Sequence, residues 1–307
     1  MKTAFLFPGQ ASQKVGMGLD LYHETELGKK YFNLANEIMR MDLKEIIFNG
    51  PEETLRQTQF TQPAIYVVST VLGKLLLQKN IIPIAVAGHS LGEYSALTIS
   101  GAFSFETGLR LVKLRAESMQ EVGEITNGTM AAIIGLDKDS IIEICDQINK
   151  DGIVVPANFN APGQIVISGE IEAVNQAMNQ AKEAGARKVI ELNVSGAFHS
   201  PLMSNAKKTL TDELNSIEIV DTNFPIYSNV TAKPVTKSDD IRKSLIQQLD
   251  NAVLWQDTII NMIQDGIVNF LEVGPGRVLQ GLTKRIDRNV ISSGIETNID
   301  VNSYTND

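Results

Sequence analysis

The chain has 307 residues, 43% of them hydrophobic and 21% charged, with a net charge of −9; it is long enough for about two structural units, and its negative balance excludes nucleic acid as a main partner, because phosphate binding needs a basic surface. A single cysteine, Cys145, excludes a disulfide framework or a cysteine metal cluster, and its helical surroundings, Ile141 to Cys145, make it a buried and inert thiol. With no signal-peptide core after Met1 and no stretch of roughly 20 apolar residues, a cytoplasmic protein without a membrane partner is expected, with a monomer as the default.

Thr3 to Phe7 is an apolar run ending at Pro8-Gly9, which reads as a buried strand entering a loop. Helical patterns follow to about Met41, and another runs from about Pro63 to Leu77. Ile84 to Ala87 is strand-like and leads into Gly88-His89-Ser90-Leu91-Gly92, after which Glu93 to Leu97 suits the first turns of a helix. Strand, G-x-S-x-G and helix in that order make a nucleophile elbow, which holds a serine hydroxyl above the sheet. The glycines are needed because side chains there would collide with neighbouring backbone. The helix that begins at the elbow offers free N–H groups and a positive dipole end to a developing oxyanion.

A long amphipathic helix is expected from about Ser104 to Val122. From about Asn127 the order of elements changes. Thr129–Gly135 reads as a strand, Asp137–Asn149 as a helix, and Ile153–Ala157 and Gln164–Ser168 as strands around an Asn-Phe-Asn-Ala-Pro-Gly turn. Glu170–Ala184 then reads as a helix and Lys188–Val194 as a strand. This β-α-β-β-α-β order is ferredoxin-like. Residues 127–195 are therefore expected to be a small subdomain inserted into a discontinuous α/β domain of residues 1–126 and 196–307, built on a mostly parallel sheet. Phe270–Val273 is a further strand that turns through Gly274-Pro275-Gly276 into a helix, Val278–Ile286. The tail after Thr297 is polar and expected to fray.

A serine hydroxyl needs a base near neutral pH, and histidine is the usual one. The chain has three. His89 adjoins Ser90, where the tight turn points neighbouring side chains apart. His23 lies in a polar stretch and reads as solvated. His199 sits in a loop before a helix, at the junction of the two units, where ligand clefts are common. Elimination favours His199. No acid between Ser90 and His199 occupies a telling position as a third triad member, and Glu191 reads as a surface residue. The three histidines show no metal-ligand spacing.

In the helix after the elbow, Glu106, Arg110, Lys113 and Glu117 form a polar stripe of oppositely charged pairs four residues apart. Arg115 lies roughly 200° around the helix from Lys113 and Glu117, on the apolar side. A cation there is a structural ion pair, a long stem reaching out to solvent, or a substrate grip. Beside an elbow serine it suggests a substrate carrying a carboxylate, which a guanidinium can hold through two parallel hydrogen bonds.

Together these residues resemble the malonyl-CoA:acyl carrier protein transacylase family. The motifs are Phe7-Pro8-Gly9-Gln10-Ala11-Ser12-Gln13, Thr61-Gln62-Pro63-Ala64, Gly88-His89-Ser90-Leu91-Gly92-Glu93-Tyr94, Gly196-Ala197-Phe198-His199-Ser200 and Glu272-Val273-Gly274-Pro275-Gly276. The resemblance implies a hydrolase-like α/β domain with a ferredoxin-like insertion, and transfer of malonyl from malonyl-CoA to acyl carrier protein in fatty acid biosynthesis. It implies Ser90 as the acylated nucleophile and His199 as the base, oriented by a main-chain carbonyl near Gln248. It implies Arg115 on the malonyl carboxylate, the N–H groups of Gln10 and Leu91 as the oxyanion hole, and Asn160 as a substrate-site residue. No cofactor or metal is implied. Gly196 fits a stand-alone fatty-acid enzyme, since polyketide extender-unit enzymes often carry histidine there. Lys284, Arg285 and Arg288, with Lys182, Arg187 and Lys188, are candidates for docking the acidic carrier protein. A serine thioesterase shares the elbow but calls for an acidic orienter and an HGGG-type loop; a catalytically dead carrier-binding module would not need Ser90, Arg115 and His199 together.

Overall fold

The computed structural model describes residues 2–305. Its strands are β1 (Thr3–Phe7), β2 (Ala85–Gly88), β3 (Gly128–Ile134), β4 (Val154–Ala161), β5 (Gln164–Glu170), β6 (Lys188–Glu191), β7 (Ile226–Tyr227), β8 (Pro234–Val235), β9 (Asn269–Val273) and β10 (Ile291–Ile295). They form two sheets. The first has the order β10-β9-β1-β2-β7-β8 and is parallel except for the short β7–β8 pair. The second has the order β4-β5-β3-β6 and is antiparallel throughout.

The first sheet is covered on both faces, as a parallel sheet must be. Alternation along β1 sends Phe5 and Phe7 into one core with Val86, Leu271 and Val273, and Ala4 and Leu6 into the other with Ala85, Ala87 and Phe270. The first core is filled by the helices Thr58–Gln78 and Phe105–Ile125, the second by Trp255–Gln264 and Val278–Ile286. The helices Lys138–Ile148 and Ile171–Glu183 close one face of the second sheet through Ile141, Ile144, Val174 and Ala177. The expected α/β class with a mostly parallel sheet and the β-α-β-β-α-β order of the second sheet are what the chain forms.

Several boundaries differ from the sequence reading. The helix expected from Pro63 begins at Thr58 and carries Pro63 inside; in its second turn the missing N–H costs one helical bond, and burial of the following residues offsets it. The helix Thr58–Gln78 is long and apolar enough to cross a membrane by length and composition alone, although most of that stretch is buried inside the protein. Strand β4 runs on to Ala161, through the asparagines read as a turn. Register shifts absorb the irregularity, and the Phe159 N–H and Ala157 carbonyl pair with Val253 on the strand's outer edge. β6 ends at Glu191, three residues early.

The tail is the clearest correction. Asn298–Ser303 is a helix with a capping box between Thr297 and Asp300. Val301 is buried, and Lys79 Nζ donates to the carbonyls of Val301 and Asn302 at 2.7 and 3.0 Å. The final residues, 306 and 307, lie outside the described residues. Thr297→Ala should lower stability by about 1 kcal/mol, the usual worth of an N-cap, as read by urea unfolding; an unchanged midpoint would show that the cap adds nothing to docking of this segment.

Candidate active site

The loops after β1 and β2 leave adjacent parallel strands at their carboxyl ends, the usual site for ligands in an open α/β sheet. The elbow is built by close backbone approach. A Cβ on Gly92 would lie 2.0 Å from the Phe7 carbonyl oxygen, and one on Gly88 would lie 1.9 Å from the Gly92 carbonyl carbon. Ser90 sits between them with φ 50°, in the left-handed region, a strained conformation held because its surroundings determine it. Asn229 fastens the turn: its Oδ1 accepts from the Ser90 N–H at 2.7 Å and its Nδ2 donates to the Gly88 carbonyl at 2.6 Å.

His199 faces the serine. Its Nε2 is 2.8 Å from Ser90 Oγ and its Nδ1 is 2.9 Å from the main-chain oxygen of Gln248. A carbonyl can only accept, so Nδ1 carries the proton and Nε2 is left to accept from the serine hydroxyl. Gln248 ends the helix Ser238–Gln248. Its carbonyl is one of the last four, which have no partner within the helix, and the imidazole N–H takes it. The negative end of the helix dipole therefore points at the ring. Burial first, and the charge of Arg115 second, pull the imidazole down from 6.5 to about 3, so it is neutral at physiological pH.

Arg115 is 1% exposed. Its Nη1 donates to Gln62 Oε1 at 2.5 Å, and its Nη2 donates to Ser90 Oγ at 3.0 Å and to Gln248 Oε1 at 3.1 Å. The Tyr94 ring lies 5.6 Å from the guanidinium carbon, and Nε has no hydrogen-bond partner. Among the described residues no carboxylate forms an ion pair with it. Gln248 Nε2 in turn donates to the Ser90 carbonyl at 2.8 Å and to Glu93 Oε2 at 2.5 Å.

A cavity of about 140 Å³ opens on this cluster. Gln10, Gln62, His89, Ser90, Leu91, Arg115, Asn158 and His199 bring polar groups to it, and Met119, Met130, Leu192, Val194 and Phe198 supply an apolar stretch of wall. The backbone N–H groups of Gln10 and Leu91 donate to no acceptor among the described residues. Asn160 does not line the cavity, whereas Asn158 does; the Asn160 Oδ1 is 2.8 Å from His89 Nε2, and the His89 ring also packs on Trp255 with centroids 5.4 Å apart. Sequence reading gave no role to Gln62, Glu93 or Asn229. Gln62 fell outside a helix taken to start at Pro63. Asn229 follows a strand of only two residues, too short to leave a periodic signal. Among the described residues there is no cluster of three or more His, Cys, Asp or Glu side chains that could hold a metal.

The family model of the acyl transferase domain matches residues 4–297. The chain is 42% identical over 288 residues to the malonyl CoA-acyl carrier protein transacylase of Bacillus subtilis (strain 168), covering 94% of this chain and 91% of that one. It is 38% identical over 304 residues to the protein of the same name from Staphylococcus aureus (strain MRSA252), covering 99% and 98%. Among solved structures it is similar to an acyl carrier protein S-malonyltransferase from Vibrio cholerae, with a TM-score of 0.95 and 38% identity over 99% of both chains. It is also similar to a malonyl-transacylase in complex with its type II PKS acyl-carrier protein, with a TM-score of 0.94 and 40% identity over 99% of this chain and 98% of that one.

The depressed imidazole has a measurable consequence. Between 6.5 and about 3 the unfolded chain binds a proton at His199 that the folded chain does not. His89, lowered chiefly by burial, acts in the same sense. The contribution of both to stability is full above 6.5; that of His199 is lost as pH falls through this window, and that of His89 as pH falls below 6.5. Nitrogen NMR at about pH 5, where an ordinary histidine is mostly cationic, should show His199 neutral with its proton on Nδ1. Titration near 6.5 would contradict this.

Proposed function

The chain belongs to the acyl transferase domain family, among the malonyl CoA-acyl carrier protein transacylases, and from that premise we propose that it moves a malonyl group from malonyl-CoA to the phosphopantetheine thiol of acyl carrier protein through a malonyl ester on Ser90, a step of fatty acid or polyketide synthesis. The observation that carries this reading is a single oxygen shared by a base and a cation: Ser90 Oγ is in hydrogen-bond reach of both His199 Nε2 and Arg115 Nη2.

His199 takes the hydroxyl proton as Oγ attacks the thioester carbonyl. The nearby guanidinium favours the alkoxide character that develops. Negative charge moves to the carbonyl oxygen, where the Gln10 and Leu91 N–H groups would receive it; one such donor is worth about 3 kcal/mol. The carbon–sulfur bond breaks, His199 returns its proton to the departing thiolate, and coenzyme A leaves. The carrier's thiol then gives its proton to His199 and attacks the ester carbonyl; the carbon–Oγ bond breaks, His199 returns the proton to Oγ, and malonyl-carrier and free Ser90 result. The reaction is ping-pong. On malonyl-Ser90 the free carboxylate is one methylene from the ester carbonyl, so the cation that touches Oγ is close enough to hold it. Gln62 and Gln248 would fix the plane of that cation. An apolar wall limits water, which competes with the thiol for the ester.

The carrier protein would dock near the second sheet. Lys182, Arg187, Lys188, Lys284, Arg285 and Arg288 are all exposed. Arg285 Nη1 donates to Gln164 Oε1 at 2.5 Å, Gln164 pairs with Ile134, and Ile134 pairs with Lys188. Two strand spacings separate Gln164 from Lys188, about 10 Å, so the two basic groups lie at the same end of the second sheet. Organisation as a small subdomain of residues 127–195 inserted between residues 1–126 and 196–307, location in the cytoplasm, action as a monomer and independence of any cofactor belong to the same reading.

Incubation with malonyl-CoA and holo acyl carrier protein should give malonyl-carrier and a malonyl adduct on Ser90 in a quenched mass spectrum. Release of free malonate without transfer would indicate a thioesterase. Arg115→Ala should cut malonyl transfer by roughly thirtyfold or more, since losing a buried charge partner costs at least about 2 kcal/mol. Acetyl transfer should fall far less, and equal losses would make Arg115 a structural residue.

A further inference from the structure

Arg115 and Glu93 are opposite charges buried without a direct ion pair. Glu93 is 2% exposed and lies in the first turn of the helix Gly92–Ser100. Its Oε2 accepts from Gln248 Nε2, and the Oε1 of the same amide accepts from Arg115. Among the described residues its other oxygen accepts only from the Asn229 N–H, at 3.4 Å. One carboxamide thus stands between a buried anion and a buried cation and is polarised by both. The arrangement balances charge while leaving guanidinium N–H groups, the unpartnered Nε among them, free of any carboxylate.

We propose that Glu93 is the counter-charge of Arg115 and gives up that role, by taking a proton from solvent, when a malonyl carboxylate contacts the guanidinium. The inference rests on the reading of Arg115 as the malonyl grip. A malonyl group would put two carboxylates around one guanidinium in a water-poor site, and like charges there cannot both stay ionised cheaply. The substrate carboxylate touches the cation directly and gains most from its charge. Glu93 touches only amides. A protonated Glu93 still accepts from Gln248 through its carbonyl oxygen, so the amide need not turn, and Ser90 and His199 keep their positions.

The groups facing Glu93 leave it as the one that exchanges the proton. Burial raises it to about 7, against the pull of Gln248, Asn229 and Arg115. Tyr94, its neighbour on the same helix, is pushed up by burial and stays neutral. Arg115, across from it on the helix Phe105–Ile125, stays cationic. His199, in the loop that faces the end of the helix Ser238–Gln248, is held at about 3 and stays neutral, and the half-buried His89 is lowered as well.

Proton uptake can be counted by titration calorimetry in buffers of different ionisation heat, with the Ser90→Ala protein so that no acyl transfer follows. Acetyl-CoA is the control, because it carries the same phosphates and lacks the carboxylate. At about pH 8 malonyl-CoA should take up about one proton more than acetyl-CoA, and at about pH 5.5 about none more. Its affinity relative to acetyl-CoA should fall towards tenfold per pH unit above about 7. Adding Glu93→Gln should abolish both effects; if that variant does not fold, the ligand comparison in Ser90→Ala decides alone. Equal uptake for the two ligands at about pH 8, with malonyl-CoA still bound more tightly, would overturn this proposal and leave the Arg115 reading intact. Malonyl-CoA bound no more tightly than acetyl-CoA would overturn the Arg115 reading and this proposal with it.

Discussion

One residue, Gln248, ties the site together. Its main-chain oxygen holds the His199 Nδ1 proton, its side-chain oxygen accepts from Arg115, and its side-chain nitrogen donates to the Ser90 carbonyl and to Glu93. Base, cation and elbow come from separate parts of the chain, in the loop at His199, the helix Phe105–Ile125 and the turn after β2. Each has its own packing and could shift independently. A buried amide bonded on both sides couples them, because moving any one leaves a polar group without a partner at a cost of about 1–3 kcal/mol. The helix Ser238–Gln248 makes this coupling rigid. It is anchored through Ile241 and Leu245, which are buried in the main core, and presents its final residue to the site.

The same cluster sets the electrostatics. A buried guanidinium without an ion pair is costly by itself, and here it is met by two amide oxygens, the serine hydroxyl and the face of Tyr94. Its field is one of the reasons the imidazole resists protonation. In the proposed reaction a neutral base beside a fixed cation suits proton abstraction, since the ring would be ready to accept and the alkoxide would lie against positive charge. The helix end would then favour the imidazolium of the tetrahedral stage. The opposing fields, Arg115 on one side and the carbonyl end of a helix on the other, keep the proton mobile.

Where physical chemistry acts locally, the chain could be read. The apolar run of β1, the strand–glycine–serine–glycine–helix sequence of the elbow, and the placing of Arg115 opposite a charged stripe all depend on neighbours within a few residues, and the structure has each where the pattern puts it. The alternating elements of residues 128–191 were equally plain. What could not be read depends on contacts far along the chain. Strand β4 keeps its asparagines extended because Val253 pairs with its edge. The last helix forms because Thr297 and Asp300 cap it and Lys79 meets its carbonyls. Glu93 stands in the first turn of its helix, and only a glutamine 155 positions away makes it part of the charge balance.

The missing triad acid follows from the resident cation. A carboxylate on His199 Nδ1 would sit within the field of Arg115, and two opposite charges that close in a buried site attract strongly. It would either draw the guanidinium away from Ser90 Oγ or raise the imidazole's affinity for a proton until the base was spent at neutral pH. A peptide carbonyl avoids both outcomes. It fixes the tautomer and the ring orientation through one hydrogen bond, carries no net charge to compete for the arginine, and brings only the partial negative charge of a helix end. If Arg115 receives an incoming carboxylate as proposed, the site is better served by a main-chain acceptor than by an acid, and the buried Glu93 is held off by an amide.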